Sequence, residues 1–272
     1  MLGRFWQKAR IGLFIVLWTF TALTAPVSVS AAPYAAIVMD ARTGEILHSR
    51  NADTRLHPAS LTKMMTLYIA FQAIERGEIT LDTPVKITSE AANEPPSKLG
   101  LRVGQEIRLR YLIRAAAVKS ANDAATAIGI ALEGSEAAFA RRMNRTAAAM
   151  GMTRTTFRNA NGLTETGHLS TANDMSILGR HLIYDFPQYY NLFSRRSADA
   201  GIAQVNNTNR RFLDRFSRVE AALGGELQGR LNERPHAHTA NRHDTHCKAF
   251  WRENDASATI RAIRWGRGQP MQ

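Results

Sequence analysis

Apolar and polar positions change period several times along this chain, and each change marks an element. Tyr34–Asp40 is apolar almost throughout and reads as a buried strand. Ala41-Arg42-Thr43-Gly44 makes a turn and Glu45–His48 a second strand, so the pair is expected to form a hairpin. From Ser60 the pattern becomes helical. Leu61, Met64, Met65, Tyr68, Ile69, Phe71 and Ile74 cover most of the helix surface, as in a helix buried at the centre of a domain, and Gly77 closes it. Residues 78–110 read as short strands and loops. Tyr111–Lys119 and Ala121–Glu133 read as helices on either side of Ser120, and Glu136–Met150 as another that ends at Gly151. A polar loop rich in Asn and Gly fills 153–170. A further helix, opened by Ser170 or Thr171, runs to Tyr184. Beyond about Leu213 the periodicity fades, and no alternating strand is expected there.

Composition adds limits. The chain has 272 residues and 44% hydrophobic positions, enough for one large core or two small ones. The net charge of +12 sits mostly at the ends. Residues 201–272 carry 12 Arg and Lys against 7 Asp and Glu, and residues 33–200 carry 20 against 16. The central region is therefore an ordinary mixed surface, and no nucleic-acid partner is expected. Cys247 is the only cysteine, which excludes an intramolecular disulfide. At the N-terminus Arg4, Lys8 and Arg10 precede the apolar run Ile11–Leu23, followed by Val29-Ser30-Ala31-Ala32. This is the order of a cleaved signal peptide over 1–32, and the apolar run is short for a membrane span. An exported protein is expected, in the periplasm or on the outer face of the cytoplasmic membrane; the sequence leaves membrane attachment open.

The candidate chemistry starts at Ser60-Leu61-Thr62-Lys63. Residues at i and i+3 share a helix face, so an amine stands beside a hydroxyl. A serine hydroxyl needs a base to become a nucleophile, and a lysine serves once burial lowers its pKa. A helix-capping serine with a solvated lysine would look the same in four letters. The apolar run around Lys63 argues against that, because a lysine buried there needs a reason. Ser120-Ala121-Asn122 offers a second hydroxyl as proton relay and a side-chain amide that can hold a substrate amide. Lys119 is a second cation, expected to help depress the Lys63 pKa.

Six segments together resemble the low-molecular-mass D-alanyl-D-alanine carboxypeptidases of peptidase family S11. They are Ala36-Ile-Val-Met-Asp-Ala-Arg-Thr-Gly44, Pro58-Ala-Ser-Leu-Thr-Lys-Met-Met65, Ser97-Lys-Leu-Gly-Leu-Arg-Val-Gly104, Val118-Lys-Ser-Ala-Asn-Asp-Ala-Ala125, Asn159-Ala-Asn-Gly-Leu163 and Gly167-His-Leu-Ser-Thr-Ala172. The resemblance implies an α+β fold of the serine β-lactamase/DD-peptidase type, with a helical region packed on an antiparallel sheet. It implies Ser60 as acylated nucleophile, Lys63 as proton acceptor, Ser120 as relay and Asn122 as substrate-binding residue. The substrate would be a peptidoglycan stem peptide ending in D-Ala-D-Ala, β-lactams would inhibit, and neither metal nor cofactor would be used. A class A β-lactamase would carry Ser-Asp-Asn and a loop Glu-x-x-x-Asn. Here the second motif is Ser120-Ala-Asn122, and Leu169 stands four residues after Glu165.

The departure from the family is at the C-terminal end. None of the six lysines (Lys8, Lys63, Lys86, Lys98, Lys119, Lys248) is followed by Thr-Gly or Ser-Gly, the family's third motif. Residues 33–213 are thus expected to form an incomplete catalytic domain with an incomplete sheet. Residues 214–272 are expected to be a disordered basic tail, in the manner of a frameshift product. Reading Phe250-Trp251-Arg252-Glu253 one nucleotide later can give Phe-Gly-Gly-Arg, which the family has as a strand. The alternative to an active carboxypeptidase is then a catalytically impaired relative. A tail that docks on anionic polymer or membrane is disfavoured by its modest charge and lack of an amphipathic run.

Overall fold

A computed structural model describes residues 34–208, 244–252 and 259–265. The expected signal peptide and most of the 214–272 tail lie outside the described residues. Strand β1 (Tyr34–Asp40) pairs antiparallel with β2 (Ile46–Arg50), as the hairpin pattern predicts. The turn between them is fixed by Asp40, whose Oδ1 accepts from the N–H groups of Arg42 at 2.8 Å and Thr43 at 3.0 Å. In β1, Ala35, Ala36, Ile37 and Met39 are buried, whereas β2 is exposed along its whole length.

A 3-10 turn at Ala59–Leu61 leads into α1 (Thr62–Glu75), in which every residue from Thr62 to Phe71 is buried. Its apolar residues point all round because α1 packs between helices on several sides. Fully burying residues such as Met65, Ile69 and Phe71 contributes about 1.5–3 kcal/mol each. Next come β3 (Pro84–Lys86), a one-turn helix α2 (Ser89–Ala92) and β4 (Glu106–Arg108), with β3 and β4 paired antiparallel. Helix α3 (Leu109–Arg114) widens into a π-turn at Ala115–Lys119 and breaks at Ser120. Helix α4 (Asn122–Glu133) follows, then α5 (Glu136–Ala149), capped by Ser135 Oγ on the Ala138 N–H. The two pack closely at Gly129, where a Cβ would stand 2.7 Å from the Phe139 ring.

Helix α6 (Ala172–Asp185) is capped by Thr171, whose Oγ1 accepts from the Asp174 N–H at 3.0 Å. It packs across β1, and Arg180 Nε donates to the Ala41 carbonyl at 2.8 Å. A short helix α7 (Pro187–Tyr190) and a small hairpin, β5 (Ser197–Asp199) with β6 (Gln204–Asn206), complete the contiguous part.

Two strands overturn the expectation that nothing after Leu213 is a strand. β7 (Asp244–Arg252) pairs antiparallel with β1, setting Ala35 opposite Trp251, Ile37 opposite Ala249 and Met39 opposite Cys247. β8 (Thr259–Trp265) pairs with β7, and the sheet order is β2-β1-β7-β8. The reason is legible in hindsight. β1 has a buried row and would otherwise present an unpaired edge, and 244–252 does alternate: Thr245, Cys247, Ala249 and Trp251 against Asp244, His246, Lys248 and Arg252. Phe250 in the polar row hides the period.

Candidate active site

Ser60 stands in the 3-10 turn, half-buried, directly after Ala59, which holds the left-handed φ of +45°. A non-glycine residue there stores strain that the surroundings must hold. Gly162 supplies part of that hold. It lies so close that a Cβ on it would sit 1.9 Å from the Ala59 carbonyl oxygen, and its own φ is +87°. Two residues further, Thr62 Oγ1 meets His168 Nε2 at 3.0 Å. His168 Nδ1 accepts from the Arg158 N–H at 3.3 Å, so Nε2 carries the proton and donates to Thr62. Burial foremost, then the positive charges of His57 and Arg158, push the His168 pKa down to about 4 and keep the ring neutral. His57 Nδ1 in turn donates to the His168 carbonyl at 2.9 Å. The turn that carries Ser60 is thus fastened to the 158–168 loop at three points.

Lys63 is the buried amine the pattern demands, with only 3% of its surface exposed. Nζ donates to Asn122 Oδ1 at 2.8 Å and to the Asn161 carbonyl at 2.5 Å. Both acceptors are neutral. Burial pulls the Lys63 pKa down from 10.5 to about 7, against the opposing pull of the Glu94 and Asp123 carboxylates. The expected help from Lys119 is a correction: burial does the lowering, and the charges that bear on Lys63 are negative ones that oppose it.

Ser120 holds φ +60° at the break between the π-turn and α4. Its Oγ is buried with no hydrogen-bond partner among the described residues. A hydroxyl in that state is available to whatever enters beside it. Asn122 sits at the first position of α4, its Nδ2 donating to the Pro95 carbonyl at 3.0 Å and its backbone N–H to the Ser97 carbonyl at 2.7 Å. With Oδ1 taken by Lys63, one N–H remains for a ligand.

The structure therefore brings Lys63 and Asn122 into direct contact, with Ser60 one turn before Lys63 and Ser120 two residues before Asn122. Several participants had no role assigned from the sequence. The fully buried Asp123 carboxylate accepts from the N–H groups of Leu99, Gly100, Leu101 and Ala124 at 2.8–3.1 Å, binding the 97–101 strip to α4. An acid between Asn122 and Ala124 at a helix start was the available signal. Asn161 and Gly162 lie in a segment that carried the resemblance, but spacing says nothing of a backbone carbonyl as a lysine acceptor. Glu94 sits in a Pro-containing loop without period, where no sequence signal existed.

Comparison with known proteins identifies what the chain is similar to. Residues 21–222 match the family model Peptidase_S11, D-alanyl-D-alanine carboxypeptidase. The chain is 34% identical over 200 residues to the D-alanyl-D-alanine carboxypeptidase DacF of Bacillus subtilis (strain 168), covering 71% of this chain and 51% of DacF. Among solved structures it resembles penicillin binding protein 5 from Haemophilus influenzae, with a TM-score of 0.64 and 31% identity, covering 70% of this chain and 56% of the other. It also resembles penicillin-binding protein D2 from Listeria monocytogenes in its ampicillin-bound form, with a TM-score of 0.59 and 30% identity, covering 68% and 75%. The chain spans about half the length of the curated relatives it matches.

Proposed function

The chain belongs to the D-alanyl-D-alanine carboxypeptidase family, and from that premise we propose that it is a serine-type carboxypeptidase that removes the terminal D-alanine from peptidoglycan stem peptides. The observation that carries the proposal is Lys63: an amine buried one turn after Ser60, held by two neutral oxygens, with its pKa near 7. At neutral pH about half of such amines are unprotonated and able to act as a base. Ser60 Oγ attacks the carbonyl of the penultimate D-alanine while Lys63 takes its proton. The unpartnered Ser120 hydroxyl passes a proton to the leaving amine, D-alanine departs, and water hydrolyses the acyl-Ser60 ester. The free N–H of Asn122 holds a backbone carbonyl of the stem peptide. A β-lactam would be trapped at the same serine. The N-terminal charged and apolar segments support export to the periplasm or the outer face of the cytoplasmic membrane.

A second reading, a catalytically impaired relative, is favoured by one specific observation: no lysine in the chain is followed by Thr-Gly or Ser-Gly. The substrate carboxylate then lacks the cation the family supplies. A fluorescent penicillin and a D-alanine release assay decide between the two. Labelling at Ser60, lost in Ser60→Ala, together with D-alanine release supports the enzyme. Labelling without release supports the impaired relative, and labelling that survives Ser60→Ala removes the nucleophile. Lys63→Arg keeps the charge but cannot give up its proton, so acylation should fall by at least about a hundredfold.

A further inference from the structure

Glu94 lies in the loop after α2, outside any helix or strand, and is half-buried. Its Oε1 accepts from Thr126 Oγ1 at 2.8 Å and from Asn161 Nδ2 at 2.8 Å. The second hydrogen of Asn161 Nδ2 goes to Thr126 Oγ1 at 2.9 Å, which closes a ring of three side chains. Thr126 and Asn161 are both buried. Asn161 Oδ1 is occupied as well, accepting from the Leu163 N–H at 2.8 Å.

The position of this ring gives it a consequence. Thr126 is one turn beyond Asn122 on α4, on the same face. Asn161 is the residue whose carbonyl accepts from Lys63. The two oxygens that hold the Lys63 amine are therefore carried by the two segments that Glu94 joins. We infer that Glu94 is a positioning residue: its carboxylate clamps α4 to the 159–163 loop, so that Asn122 Oδ1 and Asn161 O hold the Lys63 amine, and its charge steadies the protonated amine that acylation produces. This rests on the reading of Lys63 as the base.

The other groups around the amine do not duplicate Glu94. Asp123 on α4 also favours the charged amine, but its oxygens are taken by backbone N–H groups of 99–101 and Ala124. The 159–163 loop contributes a carbonyl and no charge. Glu136 and Glu165 accept from the Ala160 N–H and Asn159 Nδ2 of the loop; Glu136 feels the charge of Glu94, and the charges that bear on Lys63 are those of Glu94 and Asp123.

The test reads Lys63 itself and needs no turnover. Protein labelled with 13C at lysine Cε is titrated by NMR, with the Lys63 signal assigned by its loss in Lys63→Arg. In Glu94→Gln the Lys63 midpoint should fall by roughly half a unit or more, because an opposite charge has gone. The Asn161 side-chain amide should also exchange faster with solvent. Glu90→Gln, at an exposed carboxylate outside the ring, should change neither. An unmoved Lys63 midpoint in folded Glu94→Gln, or an equal shift in Glu90→Gln, overturns the proposal. Should Glu94→Gln not fold, Glu94→Asp keeps the charge and shortens the reach. The midpoint should then hold while the Asn161 amide exchanges faster, and wild-type exchange there overturns the clamp. A wild-type Lys63 midpoint near the ordinary lysine value would sink the base reading alone, and the Glu94→Gln comparison would still decide the clamp.

Discussion

Lys63 keeps its proton up to pH 10.5 when solvated but gives it up near 7 in the fold. Between those values the unfolded chain binds more protons, so Lys63 makes stability rise with pH by about 1.4 kcal/mol per unit. Below pH 7 the burial cost is present in full, and above about 10.5 it is gone. Lys63→Met has no such term. Subtracting the two chains cancels every other titration. The stability of Lys63→Met relative to wild type should therefore fall by about 2–3 kcal/mol between pH 7.5 and 9.5. Urea melts at the two pH values measure it, and parallel behaviour of the two chains would mean that Lys63 is not displaced. The identity of the amine was legible in the sequence, since Lys63 interrupts a run that is apolar on all sides. Its two acceptors were only half legible. Asn122 stood in a motif, while the Asn161 carbonyl belongs to the backbone, which any residue type could supply.

Elements were legible where the apolar period was long. The helix after Ser60, the helix opened by Thr171 and the β1–β2 hairpin lie where the pattern put them. The π-turn at 115–119 was not legible, because Ala115-Ala116-Ala117-Val118 suits an ordinary helix equally well. What widens the helix is tertiary: Ser120 must turn left-handed for α4 to start where Asn122 meets Lys63. The 159–163 loop is a similar case, polar in sequence but pressed against the Ser60 turn in space. Gly162→Ala tests that pressure. A Cβ 1.9 Å from the Ala59 oxygen, at φ +87°, forces the loop or the turn to move. Destabilisation of about 1–3 kcal/mol is expected, with penicillin labelling slowed at least about tenfold because the Asn161 carbonyl shifts with Gly162. A variant with wild-type melting and labelling would show that the loop does not restrain Ser60.

At the scale of the molecule, the groups around Ser60 and the sheet come from separate stretches of chain. Among the described residues, the groups hydrogen-bonded to the Lys63 and Asn122 side chains, and those that fasten the Ser60 turn, lie between His57 and His168. The sheet on which α6 packs is extended by 244–252 and 259–265, where no periodic strand is expected. Strand pairing asks only for backbone groups and a tolerable alternation, whereas holding a substrate carboxylate asks for a particular cation. A tail without Lys-Thr-Gly can therefore meet the first demand and fail the second. This separation can be measured by ending the chain at Thr208. Each residue of Tyr34–Asp40 then loses its β7 partner, and Ala35, Ile37 and Met39 lie beside an open edge. Exposing that much strand should cost several kcal/mol, on the order of 10 °C in melting temperature for a domain of this size, with self-association at the free edge. Penicillin labelling of whatever fraction remains folded should persist, since no residue placed around Ser60 has been removed. A shortened chain that melts like the full one would show that β7 and β8 contribute nothing to the fold. One that stays folded but no longer labels would show that the tail supplies a group to the site after all.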